Sequence, residues 1–160
     1  MVYLKKDEQM RIMLGTLLMF SANLNIAVKK TPKSDFGWTI HPQILFNTKN
    51  RQDYKKAIDN LLYYFRINTG ERSTTNNIII SSYRNLKKLA DQMDILDREV
   101  SGMFSRRFQK EWGAFLVILE MYGNEEHFEK EKFFEILKIR TTFMPKALTY
   151  EKFLKRNFGE

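Results

Sequence analysis

The chain has 160 residues, enough for one domain with one core, and its 43% hydrophobic and 29% charged content is that of a soluble globular protein. No apolar run reaches the roughly 18 residues needed to cross a membrane, and the absence of cysteine excludes disulfides, thiolate metal sites and cysteine nucleophiles. The net charge of +8 favours polyanionic partners, because each phosphate contact releases condensed counterions, although a solvated basic surface has the same sign.

Met1 to Met10 carries Asp7 and Glu8 and lacks the Arg- and Ser-rich pattern of an organellar presequence. The richness in Lys, Asn, Ile, Phe and Tyr fits an A+T-rich, organellar genome. The expected location is therefore a mitochondrial or other organellar matrix, and otherwise the cytoplasm. Asp7 to Phe20 predicts a helix, with Met10, Met13, Leu14, Leu17 and Leu18 on one face. Its second half, Ile12 to Phe20, is apolar almost all round, which predicts burial on every side. Asn23 to Lys30 and Trp38 to Asn47 alternate and predict strands, joined by a loop over Thr31 to Gly37. In the second strand Trp38, Ile40, Pro42, Ile44 and Phe46 are expected to face the core, with Thr39, His41, Gln43, Leu45 and Asn47 facing out. Pro42 cannot donate to a ladder and predicts an edge or bulge on its amide side.

Arg51 to Leu62 predicts a second helix. Tyr64 to Arg72 and Asn76 to Ser81 predict a hairpin around Gly70 and Ser73 to Thr75. Arg84 to Met93, Ser105 to Tyr122 and Glu126 to Arg140 predict three more helices. Asp94, Asp97 and Glu99 then fall around a helix boundary as caps and solvated charges. Pro145 breaks the chain, and Thr149 to Arg156 suits a last short helix. The fold class is α+β, with the order α-β-β-α-β-β-α-α-α. Two hairpins separated by a helix imply a four-stranded antiparallel sheet with helices on one face and the other face open.

Several segments then resemble the single-motif LAGLIDADG homing endonucleases. Leu14-Gly-Thr-Leu-Leu-Met-Phe-Ser-Ala22 is similar to the nine-residue motif, and Asn23 to Lys30 to the family's first strand with its closing Lys pair. Phe36 to Phe46 resembles the second strand, Arg51 to Arg66 the helix into the third, and Ile78 to Leu86 the fourth strand and following turn. Phe115 to Met144, with Asn124-Glu-Glu-His127 inside it, resembles the closing helix pair. The resemblance implies a saddle-shaped sheet that lies along nucleic acid, a LAGLIDADG-like domain over 1–145, and a C-terminal extension over 146–160.

It also implies a metal-binding acid at the eighth motif position. Ser21 stands there, Met19 stands at the often acidic sixth position, and Gly15 belongs to the same degenerate motif. No Asp or Glu lies between Ile12 and Val28, and Mg²⁺ is usually held by one or two carboxylates. Thr48 stands where a polar residue ends the second strand. Arg106, Arg107 and Lys110 match a basic position near the start of the fourth helix. The expectation is a chain without catalytic residues, metal or cofactor, not an enzyme but the remnant of a metal-dependent endonuclease.

The expected nucleic-acid contacts are Asn23, Asn25, Lys29, Lys30, Lys33, Thr39, His41, Gln43, Asn47, Lys49, Arg66, Asn68, Arg72, Asn77, Arg106 and Arg107. Asn and Gln read base edges, while Lys and Arg hold phosphates. His127 reads as a helix cap, and the aromatic residues from Phe104 to Tyr122 read as core rather than a stacking platform. The favoured partner is structured RNA, in an organellar ribosome or an intron whose folding the chain assists. The rival readings are an active homing endonuclease cutting double-stranded DNA and a DNA-binding regulator. No membrane partner is expected. Leu14, Leu17 and Leu18 are expected to form a helix interface with a second copy, another protein or RNA.

Overall fold

The computed structural model describes residues 4–32, 36–70, 76–123, 129–143 and 150–158. The chain divides into two compact units: Met1–Leu24 with Gln43–Phe108, and Asn25–Pro42 with Gln109–Glu160. The element order is α1 (Lys6–Ser21), β1 (Ala22–Lys30), β2 (Trp38–Asn47), α2 (Gln52–Tyr64), β3 (Asn77–Ile80), α3 (Tyr83–Glu99), α4 (Arg106–Tyr122), α5 (Lys130–Phe143) and α6 (Tyr150–Phe158). No helix among the described residues is long and apolar enough to cross a membrane.

In the first unit α1 packs on α2 and α3. Its start is fixed by the Glu8 carboxylate, which accepts from the Lys5 backbone N–H at 3.0 Å, and Asp7 and Glu8 complement the positive helix end. Gly15 sets how closely α1 and α3 approach. A Cβ there would lie 2.3 Å from Leu96 Cδ2 and 3.4 Å from Phe104 Cζ. The close approach that Gly15 permits is thus made with its own chain. Arg11 on α1 pairs with Glu99 on α3 at 2.6 Å.

Helix α3 is longer than the expected Arg84 to Met93. Ser82 Oγ accepts from the Asn85 N–H at 3.2 Å to cap it, and the stripe of Leu86, Leu89, Met93 and Leu96 stays buried to its last turn. Asp94 and Asp97 therefore lie within the helix, while Glu99 is its last residue. Asp94 pairs with Arg98 four residues on, and Glu99 pairs with Arg11.

The sheet has three strands among the described residues, in the order β1-β2-β3, not the expected four. β2 and β3 are antiparallel, with Ile44 opposite Ile80 and Asn47 opposite Asn77. Pro42 lies outside this paired stretch. The missing strand was expected over Tyr64 to Arg72. Instead α2 continues through Tyr64, and Arg66 enters the left-handed region at φ 56°. The Arg66 N–H donates to Tyr63 O and the Ile67 N–H to Leu62 O, both at 2.9 Å, so the helix closes on a left-handed turn. Ile67 is buried behind it, and Gly70 donates to Ile79 O at 2.8 Å, a bond toward β3 in hairpin fashion. Residues 71–75, the expected turn and the end of that strand, lie outside the described residues.

The second unit is built around aromatic rings. Trp38 meets Phe153 edge-on at 4.8 Å, Phe133 meets Phe153 at 5.4 Å, and Phe36 meets Phe133 at 5.1 Å. Such offset and edge-to-face pairs add roughly 0.5–1.5 kcal/mol each beyond their burial. Phe36 lies in the segment expected to be a loop. Trp112, Phe115, Leu119 and Tyr122 along α4 are buried, as core residues are, and so are Phe108 on that helix and Phe104 ahead of it, both in the first unit.

Candidate nucleic-acid interface

The expected contact residues fall into both units. In the first unit Asn23, Asn47, Lys49, Arg66, Asn68, Arg106 and Arg107 are exposed, and Asn77 is half-buried beside Asn47 across the β2–β3 ladder. In the second unit Lys30 is exposed, while Asn25, Lys29 and His41 are half-buried. The His41 ring lies 6.1 Å from that of Tyr122. Lys33, Arg72 and His127 lie outside the described residues.

Two positions differ from the expected outward face. Thr39 is 5% exposed and Gln43 is 9% exposed, so neither offers its side chain to solvent. β2 is the middle strand, and both of its faces are covered at these positions. Period-2 alternation separates two faces but does not show that one of them is open. Thr48 is also fully buried: its N–H donates to Asn76 O, its carbonyl accepts from Arg51, and its hydroxyl is enclosed without a hydrogen bond.

Arg66 and Asn68 line one surface cleft of the first unit, together with Asn60, Tyr63, Tyr64 and Lys88. The backbone here is held by side chains of α3: Lys88 Nζ donates to Arg66 O at 2.7 Å, and Asn85 Oδ1 accepts from the Asn68 N–H at 2.9 Å. Nothing in the sequence pattern singled out Lys88. Its role depends on the left-handed turn, and a non-glycine residue at such a turn leaves no glycine to mark it. A left-handed arginine costs on the order of 1 kcal/mol relative to glycine. Arg66→Gly is therefore expected to raise stability by about 1 kcal/mol in urea unfolding while weakening nucleic-acid binding. Unchanged binding would remove Arg66 from the interface.

At the start of α4, Ser105 Oγ accepts from the Phe108 N–H at 3.2 Å, and the exposed Arg106 and Arg107 follow at once. Cations in a first turn oppose the helix dipole by roughly 0.3–1 kcal/mol each. Local conflicts of this kind concentrate at functional positions.

The degenerate-motif residues end α1. Met19 Sδ accepts from the Ser105 N–H at 3.4 Å, and Ser21 is half-buried as the last residue of the helix. Among the described residues no group of three or more His, Asp or Glu side chains is placed to hold a metal ion. Leu14 and Leu18 are buried by the chain itself, at 0% and 1% exposure, and Leu17 is half-buried. The apolar side chains that α1 leaves exposed are Met13, at 52%, and Phe20, at 76%.

No family model matches the chain, and no curated protein matches it. Solved structures do. The homing endonuclease I-TnaI superposes with a TM-score of 0.70 at 17% identity, over 99% of this chain and 98% of its own. The LAGLIDADG meganuclease I-CpaMI bound to uncleaved DNA gives 0.67 at 16% identity, and the LAGLIDADG homing endonuclease I-SmaMI bound to cleaved DNA gives 0.68 at 17%. Each of these two is matched over 94% of this chain, which spans about half of their length, 48% and 47%. These findings overturn the expectation that the chain is not an enzyme, since the solved structures that share its architecture are endonucleases. The protein has the LAGLIDADG homing-endonuclease fold.

Proposed function

We propose that the chain binds nucleic acid and that its target is structured RNA held in an organellar ribonucleoprotein, either a ribosome or an intron that it helps to fold. The carrying observation is the kind of side chain left accessible. Lys30, Lys49, Arg66, Arg106 and Arg107 are exposed and outnumber the exposed amides Asn23, Asn47 and Asn68, whereas Gln43, the one glutamine among the expected base readers, is buried. Exposed arginines and lysines hold phosphates, while a bidentate amide reads adenine in a DNA major groove. Recognition through backbone and shape suits structured RNA, whose deep major groove admits no side-chain readout. The DNA seen with I-CpaMI and I-SmaMI supports nucleic acid as the partner class. A second copy covers Met13 and Phe20 on α1.

The test is competition at one salt concentration between a folded intron or ribosomal RNA and duplex DNA of equal length, with Mg²⁺ present. RNA is expected to bind at least tenfold more tightly. Equal or tighter binding of DNA overturns the RNA assignment.

A further inference from the structure

The second unit contains a cleft of about 540 Å³ along β1, an outer strand of the sheet. We propose that this cleft binds a phosphate monoester of nucleotide size. Lys30 from β1, Arg140 from α5 and Arg156 from α6 converge on it, joined by the amides of Asn25 and Asn157, and among the described residues no carboxylate side chain lines it.

Three features carry the assignment. First, three cations from three separate elements meet in one concavity. A merely solvated basic surface spreads its charges apart, so cations gathered from three elements into one concavity suit an anionic ligand. Second, one of the three is not at the surface. Arg140 is 9% exposed, and burial lowers its pKa from the ordinary arginine value. A guanidinium held out of bulk water interacts more strongly with an anion than an exposed one, because the local dielectric is lower. Its flat fork and that of Arg156 suit the oxygens of a phosphate, and the two amides add further donors. Third, the volume falls within the roughly 300–1,000 Å³ range of small-molecule sites and exceeds what a bare phosphate fills. Trp38 forms part of the wall with Lys30 Nζ 5.4 Å from its ring centre, so a ligand that draws Lys30 away also changes the indole's surroundings.

The site shares Lys30 and Asn25 with the expected nucleic-acid contacts, but its assignment does not rest on the reading of the chain as an RNA-binding protein. A phosphate monoester has two sources: a free mononucleotide, or the terminal phosphate of a nucleic-acid strand. Calorimetric titration of the full chain with AMP and with adenosine measures the first. Competition between 5′-phosphorylated and 5′-hydroxyl oligonucleotides of one sequence measures the second, with Trp38 fluorescence as a second readout in both. The expected result is AMP binding at least tenfold tighter than adenosine, or a fivefold or greater preference for the 5′-phosphorylated strand. The first assigns a free nucleotide and the second a strand end. Arg156→Gln and Lys30→Gln alter exposed residues, so the fold is retained, and each is expected to weaken that binding about tenfold, as loss of a charge-assisted hydrogen bond does. Equal binding of AMP and adenosine together with no preference for a phosphorylated end overturns the site. So does phosphate-dependent binding that both variants leave unchanged. Loss of RNA binding with AMP binding intact would overturn the RNA reading alone.

Discussion

Raising the salt concentration from 50 to 200 mM is expected to weaken nucleic-acid binding roughly a hundredfold. Among the described residues, five of the expected contacts are exposed bases: Lys30, Lys49, Arg66, Arg106 and Arg107. If each holds one phosphate, counterion release gives a log–log salt slope of about −0.7 per contact for single-stranded segments, or on the order of −3.5 in total. A fourfold rise in salt then lowers the association constant by about two powers of ten. Charge reversal at Lys49 and Arg66 is expected to weaken binding across many sequences alike and to flatten the slope by about one for each site. Filter-binding titrations at four salt concentrations measure both. A flat salt response would show that these side chains do not touch phosphates. A loss confined to one sequence would make them base readers.

The sequence was readable where one local rule decides the outcome. The ends of α1, β1 and β2 fall within two residues of their expected positions because a clean 3.6 or period-2 pattern runs to each boundary. It misled where the decision belonged to a distant partner. Tyr64 to Arg72 carries strand-forming residues, yet the phenol of Tyr64 donates to the Asp7 carboxylate on α1, and Lys88 on α3 holds the turn at Arg66. Those contacts join segments 57 and 22 residues apart, and no local pattern contains them. The candidate sites show the same division. Lys30 and Arg106 stand out in the chain as exposed basic positions, and they are exposed. Arg140 sits in a charged helix like any solvated residue, and only packing reveals that it is buried beside a cleft. Burial of both faces of β2 at Thr39 and Gln43 is likewise a property of the layers around the strand, not of the strand's own alternation.

Leu18→Glu and Phe20→Glu, two residues apart on α1, are expected to have opposite consequences. The apolar pattern alone placed Leu17 and Leu18 toward a partner, so either acid would have broken an assembly and spared the fold. Leu18 is 1% exposed, so Leu18→Glu buries a carboxylate among the side chains of its own core. Such a group either stays charged without water or protonates at a cost, and the destabilisation is on the order of 4 kcal/mol or more, enough to unfold many domains. Circular dichroism should show loss of the cooperative thermal transition. Phe20 is 76% exposed, so Phe20→Glu should leave that transition in place. Its effect belongs to association. A phenylalanine ring buries about 150 Å² or more when covered, which at about 25 cal/mol per Å² amounts to roughly 4 kcal/mol per copy in a twofold pair. Even after the losses that accompany binding, the substitution should raise the dimer dissociation constant at least tenfold, read by sedimentation equilibrium. Met13→Glu, at a residue 52% exposed on the same helix, should act in the same direction. A wild-type chain that stays monomeric at the highest attainable concentration would show that no second copy covers α1, and a Leu18→Glu protein with an unshifted transition would contradict the burial of Leu18.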